Sequence, residues 1–323
     1  MAEPSQHSAP ITPRDLLSKW AAAALNLWIG SPESSIFFGQ GIGDDLLCTA
    51  VARELKRRDR RSITLLSRYG ELFENNPDID RVRWISSQSV GRLRRWGHPC
   101  HVPNFSHYDE ENDRDIFLPE HLITTMCRLC GMTGPIDIRP YLFLRPEEKA
   151  KGRLFEQQIA IQSGGLQLLP LKSWFADRYQ TVSNELGQTY TMVQLGQKED
   201  PPLAGVVDLR GKTTLRESAA ILANSLVFVG QVGFLMHLAR AVDCRSAIVY
   251  GGREDPLVSG YTANENLIGR VECAPCWRRN RCDYDRACMR MIEPAAVIEA
   301  ARRQIKLLGE PLFLDKTTVS PLP

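Results

Sequence analysis

LRGKTTLRESAAILANSLVFVGQVGFLMHLARAVDCRSAIVYG, residues Leu209–Gly251, is the stretch whose reading decides the fold. Thr214 and Glu217 stand three apart, the spacing at which each side chain satisfies the other's free backbone N–H at a helix start. Leu215, Ser218, Ala219 and Leu222 then share one small, mostly apolar helical face. Leu226–Val229 is a short apolar run closed by Gly230, as a strand buried on both sides requires. A helical pattern resumes over Met236–Val242, and Ala247–Tyr250 predicts a second buried strand ending at Gly251 and Gly252. Helix, strand, loop, helix, strand is half of a doubly wound parallel sheet, whose ligands sit beyond the carboxyl ends of the strands. Gly230–His237 and Gly251–Pro256 occupy those ends.

The same alternation extends upstream. Ile36–Phe38 and Ile63–Leu66 predict strands flanking a helix that runs to about Arg58, with Leu47, Val51 and Leu55 as its buried stripe. Gly39, Gly41 and Gly43 precede that helix; Asp44 is placed to cap it, and Asp45 reads as exposed. A dinucleotide fingerprint is weak here, because the third glycine position holds Asp44 or Leu46 and the second strand ends in Ser67–Arg68. Glu71–Ile85 reads as a helix end, a turn at Asn76–Pro77 and a third strand, while residues 88–115 read as irregular and charged. His121–Met132 is a helix and Pro140–Arg145 is extended. Ile159–Gln162, ending in Ser163-Gly164-Gly165, and Thr191–Leu195, ending in Gly196, open the second half as the first half opens.

These elements predict an α/β chain of two facing Rossmann-like domains with a cleft between them. Residues 1–35 would be an extension with a helix at Pro13–Leu27, 36–150 the first domain, and 151–310 the second. A net charge of +2 is too small to announce a nucleic-acid partner, so any anion must be met by local patches. No secretory signal is visible, and Trp20–Gly30 is shorter than the ~20 apolar residues a span needs. The Pro13–Leu27 helix faces either a core or, through Trp20 and Trp28, a membrane surface. A cytoplasmic home follows, in which nine cysteines are not disulfides.

Ordered motifs now carry a family resemblance over most of residues 36–298: I-G-D at 42–44 with L-L-C-T-A behind it, L-F-E-N-N-P-D-I-D-R-V at 72–82 and K-S-W at 172–174. L-R-G-K-T-T-L-R-E at 209–217, V-G-x5-M-H-L-A at 229–239, C-A-P-C at 273–276 and C-M at 288–289 complete it. In this the chain resembles glycosyltransferase family 9, the bacterial ADP-heptose:lipopolysaccharide heptosyltransferases of GT-B fold. The resemblance implies inverting transfer of heptose or a related sugar from a nucleotide diphosphate, ADP-heptose foremost, with no cofactor needed for catalysis. The acceptor would be a lipopolysaccharide core or another anionic glycan, lipid-linked or protein acceptor at the inner face of the inner membrane.

Residue by residue, Asp44 matches the family's general base; the bland alternative is a helix cap. Donor contacts map to Gly41, Gly43, Gly164, Lys172, Glu199, Gly233, Met236 and His237, with Asp200 a rival to Glu199 and a packed core histidine the alternative for His237. Arg92, Arg94 and Arg95 are either a solvated loop or the groups that hold an anionic acceptor. One departure stands out. The family has Asn-Asp-(Ser/Thr)-Gly-Pro where this chain has Gln231-Val232-Gly233-Phe234-Leu235, so the donor-side aspartate is replaced by Val232. A non-catalytic nucleotide-sugar- or glycan-binding protein of the same fold is therefore the alternative reading.

Cys273, Cys276, Cys282 and Cys288 form C-x2-C-x5-C-x5-C. Four thiols this close suit a structural Zn or Fe site; reduced, packed thiols are the alternative. Arg278, Arg279, Arg281 and Arg286 between them read as a solvated basic face.

Overall fold

The computed structural model describes residues 35–39, 41–59, 62–86, 89–91, 100–117, 120–164 and 170–309. The helix expected at Pro13–Leu27, and Arg92, Arg94 and Arg95, lie outside the described residues.

The first half is built on a parallel sheet of β1 (Ser35–Ile36), β2 (Thr64–Leu66) and β3 (Arg81–Arg83), in that order. Helix α1 (Ile42–Asp59) crosses from β1 to β2 and buries Leu46, Leu47, Val51 and Leu55. Acidic Asp44 and Asp45 lie in its first turn and Lys56, Arg57 and Arg58 in its last, the arrangement the helix dipole favours. The charged stretch read as irregular instead forms an antiparallel hairpin of β4 (Ser106–Asp109) and β5 (Arg114–Phe117). Its backbone is tied to the segment 277–279: Asp115 N–H donates to the Trp277 carbonyl at 2.9 Å, and Arg279 N–H donates to the Asp113 carbonyl at 3.1 Å. Helices α2 (Leu122–Leu129) and α3 (Pro146–Lys151) follow.

The second half is a six-stranded parallel sheet. Its strands are β6 (Gln158–Ile161), β7 (Thr191–Gln194), β8 (Val207–Asp208), β9 (Phe228–Gln231), β10 (Ser246–Gly251) and β11 (Asn264–Ile268). Their order is β11-β10-β9-β6-β7-β8. The chain thus runs outward from β6 in one direction, returns, and runs outward from β9 in the other. Such an order leaves a crevice at the carboxyl ends of the two strands where the direction reverses. Helix α4 (Ala176–Leu186) follows β6, and the expected capping box starts α5 (Leu215–Ala223): Glu217 N–H donates to Thr214 Oγ1 at 3.1 Å, and Thr214 N–H to Glu217 Oε2 at 2.8 Å. Helices α6 (Phe234–Ala241), α7 (Pro256–Ser259), α8 (Ala287–Arg290) and α9 (Pro294–Lys306) complete the chain.

Alternation along β9 and β10 separates two cores. Val229 and Val249 face Tyr179 and Val182 of α4 and Val297 and Ala301 of α9. Phe228, Ile248 and Tyr250 face the opposite way, into a cluster that includes Met236 and Leu238 of α6 and continues without a break into Leu46, Leu47 and Val51 of α1. Among the described residues no helix is long and apolar enough to cross a membrane.

Arg216 on α5 fastens the halves. It makes a fork to Glu148, Nε to Oε1 and Nη2 to Oε2 at 2.7 Å each, and reaches the Glu71 and Phe143 carbonyls at 3.0 and 2.8 Å. Hydrogen bonds to charged groups contribute more than neutral ones, so Arg216→Ala is expected to cost about 2 kcal/mol, read from urea unfolding. Unchanged stability would show that the fork is ornamental.

Candidate active site

The carboxylates of Asp44 and Asp45 part company at the start of α1. Asp45, expected to be exposed, is buried: it accepts from Gly39 N–H at 3.2 Å and from the Ser67 hydroxyl, tying the end of β1 to the end of β2. The reason is helical phase, which turns position 45 inward over the sheet. Asp44 is not the cap, since the helix is already under way at Ile42. Its carboxylate folds back over Gly41, where a Cβ would stand 2.9 Å from Asp44 Oδ2, so Gly41 makes room for it. Burial pushes the Asp44 carboxyl up to about 7; Lys172 pulls it back, while Asp45 and Glu254 push it further.

Two groups acting on Asp44 come from the second half. Lys172, in the turn after β6, places Nζ 2.5 Å from Glu254 Oε1, just beyond β10. Arg253 Nη1 reaches the same oxygen at 2.5 Å, and Ser259 Oγ donates to Glu254 Oε2 at 3.0 Å. Burial alone pushes Glu254 up, but Lys172 and Arg253 outweigh it and hold the carboxyl at about 2. Arg253 continues the chain of charges to Asp115 of the hairpin at 2.6 Å, and Arg279 closes it on the other Asp115 oxygen at 2.5 Å. Sequence reading missed Glu254, Arg253 and Asp115; the available signal was an acid and a base directly after a buried strand.

His237 stands across from the start of α1. A Cβ on Gly43 would lie 3.7 Å from both His237 Cδ2 and Phe234 Cα, so the first turns of α1 and α6 are in close contact. His237 Nδ1 is 2.6 Å from the Tyr261 hydroxyl, and burial, with help from His121 and Lys172, lowers its pKa to about 3. Burial thus favours the neutral imidazole, which can hydrogen-bond without carrying charge. Gly233 caps α6 at φ +157°, with open space where a Cβ would be and no side chain on the helix N-terminus. Met236 is core: it is fully buried, and its sulfur accepts from the Tyr250 hydroxyl at 3.3 Å. Val232 is likewise buried in that core. Beside it Gln231, also buried, keeps an amide oxygen with no hydrogen-bond partner.

Not every expected site residue joins this cluster. Glu199 is exposed, whereas Asp200 is buried and accepts from Gln197 N–H at 3.1 Å and Gln162 Nε2 at 3.3 Å. Gly164 packs on the same turn, where a Cβ would stand 2.7 Å from Pro201 Cδ. The Asp200 contacts brace the ends of β6 and β7 and leave Glu199 pointing to solvent.

With this geometry in place, comparison with known proteins is informative. Residues 143–285 match glycosyltransferase family 9 (heptosyltransferase). That match covers less than half of the chain. A curated relative, lipooligosaccharide heptosyltransferase 2 of Haemophilus influenzae, is 28% identical over 158 residues, covering 42% of this chain and 46% of the relative. The chain thus aligns with less than half the length of that relative. The fold is shared with the E. coli ADP-heptose LPS heptosyltransferase II (TM-score 0.63, 15% identity, 84% of this chain and 98% of that one). It is also shared with a family 9 glycosyltransferase from Veillonella parvula (TM-score 0.62, 15% identity, 84% and 96%). A third solved structure of this fold is the iron-containing dodecameric glycosyltransferase TibC of enterotoxigenic E. coli (TM-score 0.64, 16% identity, 85% and 76%).

The family 9 segment ends within the cysteine cluster. Among the described residues, no three His, Cys, Asp or Glu side chains stand together as a set able to hold one metal ion. The four-thiolate site expected at Cys273, Cys276, Cys282 and Cys288 is therefore not assembled. The cysteines remain neighbours: burial, then Cys276 and Cys282, push the Cys273 thiol up, and the same pair acts on Cys288. Left-handed backbone at Asp285 and Arg286 turns the segment between Cys282 and Cys288, and Cys282 Sγ accepts from Arg286 N–H at 3.3 Å. Of the intervening arginines, Arg281 is solvated as expected and shares Asp283 with Arg278 at 2.7 Å, whereas Arg279 turns to the buried Asp115 at 2.5 Å.

Burial divides the cysteines: Cys48, Cys100, Cys127, Cys130 and Cys244 are buried, and the four clustered ones are part-exposed. Titration of the native protein with a thiol reagent should modify the four clustered cysteines quickly and the other five only on unfolding. Protection of the cluster would overturn the open arrangement described here.

Proposed function

We propose that the chain is an inverting glycosyltransferase of GT-B architecture, with residues 36–150 as the acceptor side and 151–310 as the donor side. The observation that carries this reading is the meeting of Asp44 from one half with Lys172 and His237 from the other, at the strand ends where the second sheet reverses direction. The donor is a nucleotide diphosphate sugar, with ADP-heptose favoured by the heptosyltransferase relatives. The acceptor is an anionic glycan such as a lipopolysaccharide core, met at the cytoplasmic face of the inner membrane.

In this mechanism an acceptor hydroxyl attacks the anomeric carbon from the face opposite the diphosphate. Asp44 takes the hydroxyl proton as the new C–O bond forms. The bond from the anomeric carbon to the phosphate oxygen breaks, and the nucleotide diphosphate leaves with the electron pair. Lys172 and the uncapped N-terminus of α6 supply positive charge where negative charge develops. A carboxyl near 7 suits the base role, because catalysis is best served when the base's pKa lies close to working pH. The buried Gln231 amide oxygen offers an acceptor for a sugar hydroxyl where the family's aspartate is missing. Val232, packed in the core, favours the alternative of a binder without turnover, and the same assay separates the two.

Asp44→Asn should retain ADP-heptose binding and lose about 10²–10⁴-fold in transfer rate, measured with the sugar nucleotide and a lipopolysaccharide acceptor. Wild-type transfer should rise with pH through a limb near 7 as Asp44 loses its proton. Stability should move the other way. With a folded pKa raised above the unfolded value, Asp44 stabilises most below about 4, and that contribution is lost as pH rises through about 7. Thermal unfolding at pH 8 should therefore show Asp44→Asn at least as stable as wild type. A less stable variant would mean that the carboxylate is structural.

A further inference from the structure

Glu254 is fully buried and has three partners: Lys172 and Arg253 on one oxygen and Ser259 on the other. The two cations differ in freedom. Arg253 is 2% exposed and fixed by the Arg278 carbonyl at 2.6 Å and Asp115 at 2.6 Å. The Lys172 side chain is 20% exposed, against 6% for Glu254, so the lysine lies at the open end of the pair. Its ammonium is a point charge on a flexible stem, able to change partners, whereas the planar guanidinium is locked by several bonds at once. If Lys172 leaves, Glu254 keeps Arg253 and Ser259 and is not orphaned.

We infer that Glu254 is a resident stand-in for the donor's diphosphate: it holds the Lys172 ammonium at the crevice and yields it when a nucleoside diphosphate binds. This rests on the donor-site reading above. A part-buried lysine needs a counter-ion whether or not ligand is present, and exchanging one anion for another costs far less than stripping a bare charge of water. The surroundings have room for the exchange. A cavity of about 540 Å³ opens beside Glu254, lined also by Gly252, Asp255, Asn266 and Arg270. Asn266 Oδ1 has no hydrogen-bond partner and is available to a ligand's hydroxyl or amine. The consequence is a competition: Glu254 and the diphosphate bid for one ammonium, so the carboxylate weakens nucleotide binding and favours release of the product.

Calorimetry with ADP at fixed ionic strength tests this. Glu254→Gln should bind ADP more tightly than wild type, by about fivefold or more, and Lys172→Met about tenfold more weakly. In the Lys172→Met background, Glu254→Gln should bring no gain. A damaged fold weakens binding, so tighter binding is a result that a merely structural role for Glu254 cannot produce. Glu254→Asp keeps the charge that Arg253 needs and draws the carboxylate one methylene back from Lys172; it should also tighten ADP and serves if Glu254→Gln does not fold. Unchanged or weaker ADP binding in the folded variants, or a gain that survives without Lys172, overturns the inference alone. Failure of wild type and variants alike to bind millimolar ADP overturns the donor-site reading and this inference with it.

Discussion

Charges removed from water must be neutralised by one another, and much of this molecule is arranged to meet that demand. Lys172, Glu254, Arg253, Asp115 and Arg279 form one alternating series that starts at the reversal point of the larger sheet and passes through Asp115 of the hairpin in the other half. Each member is acceptable only because its neighbour is present. The hairpin is therefore linked to the crevice through its Asp115 carboxylate. The same economy explains why Asp44, with no ion pair among the described residues, has its carboxyl pushed up to about 7.

A second constraint is apolar. One face of the six-stranded sheet, helix α6, and helix α1 of the smaller sheet share a single core, so the glycine-rich start of α1 is pressed against the start of α6. Gly43 lies at that contact, where an added Cβ would sit in ordinary van der Waals contact with His237 and Phe234. The start of α1, with Asp44, and the start of α6 are thus brought together by packing alone.

Legibility followed the physics of each element. Buried strands and amphipathic helices announce themselves by period, so β6, β7, β9, β10, α1 and α5 were readable within a residue or two, and so was the Thr214–Glu217 cap. Asp44, Lys172 and His237 were singled out as candidates through an ordered set of motifs rather than through any single spacing. The hairpin was not readable, because Asp113 and Asp115 look solvated until the partner segment 277–281 is known. Asp45 and Glu254 were missed for the same reason: whether a carboxylate is buried depends on cations and hydroxyls far away in sequence. Met236 had the opposite problem, since a motif position cannot tell a ligand contact from a core side chain.

Helix α3 shows where the chain is mechanically divided. Glu148 is gripped by Arg216, Asn224 Nδ2 donates to the Lys149 carbonyl at 2.7 Å, and a Cβ on Gly152 would stand 2.1 Å from the backbone of Ala220. This short helix is sewn to α5 and travels with the larger sheet, although it precedes the first strand of that sheet in the chain. A protease nick or a gene cut placed after residue 150 would strand the Arg216 guanidinium and uncover the flank of α5. A cut ahead of residue 143 would instead keep the bonds of Arg216 to Glu148 and the Phe143 carbonyl in one piece and part only its bond to the Glu71 carbonyl.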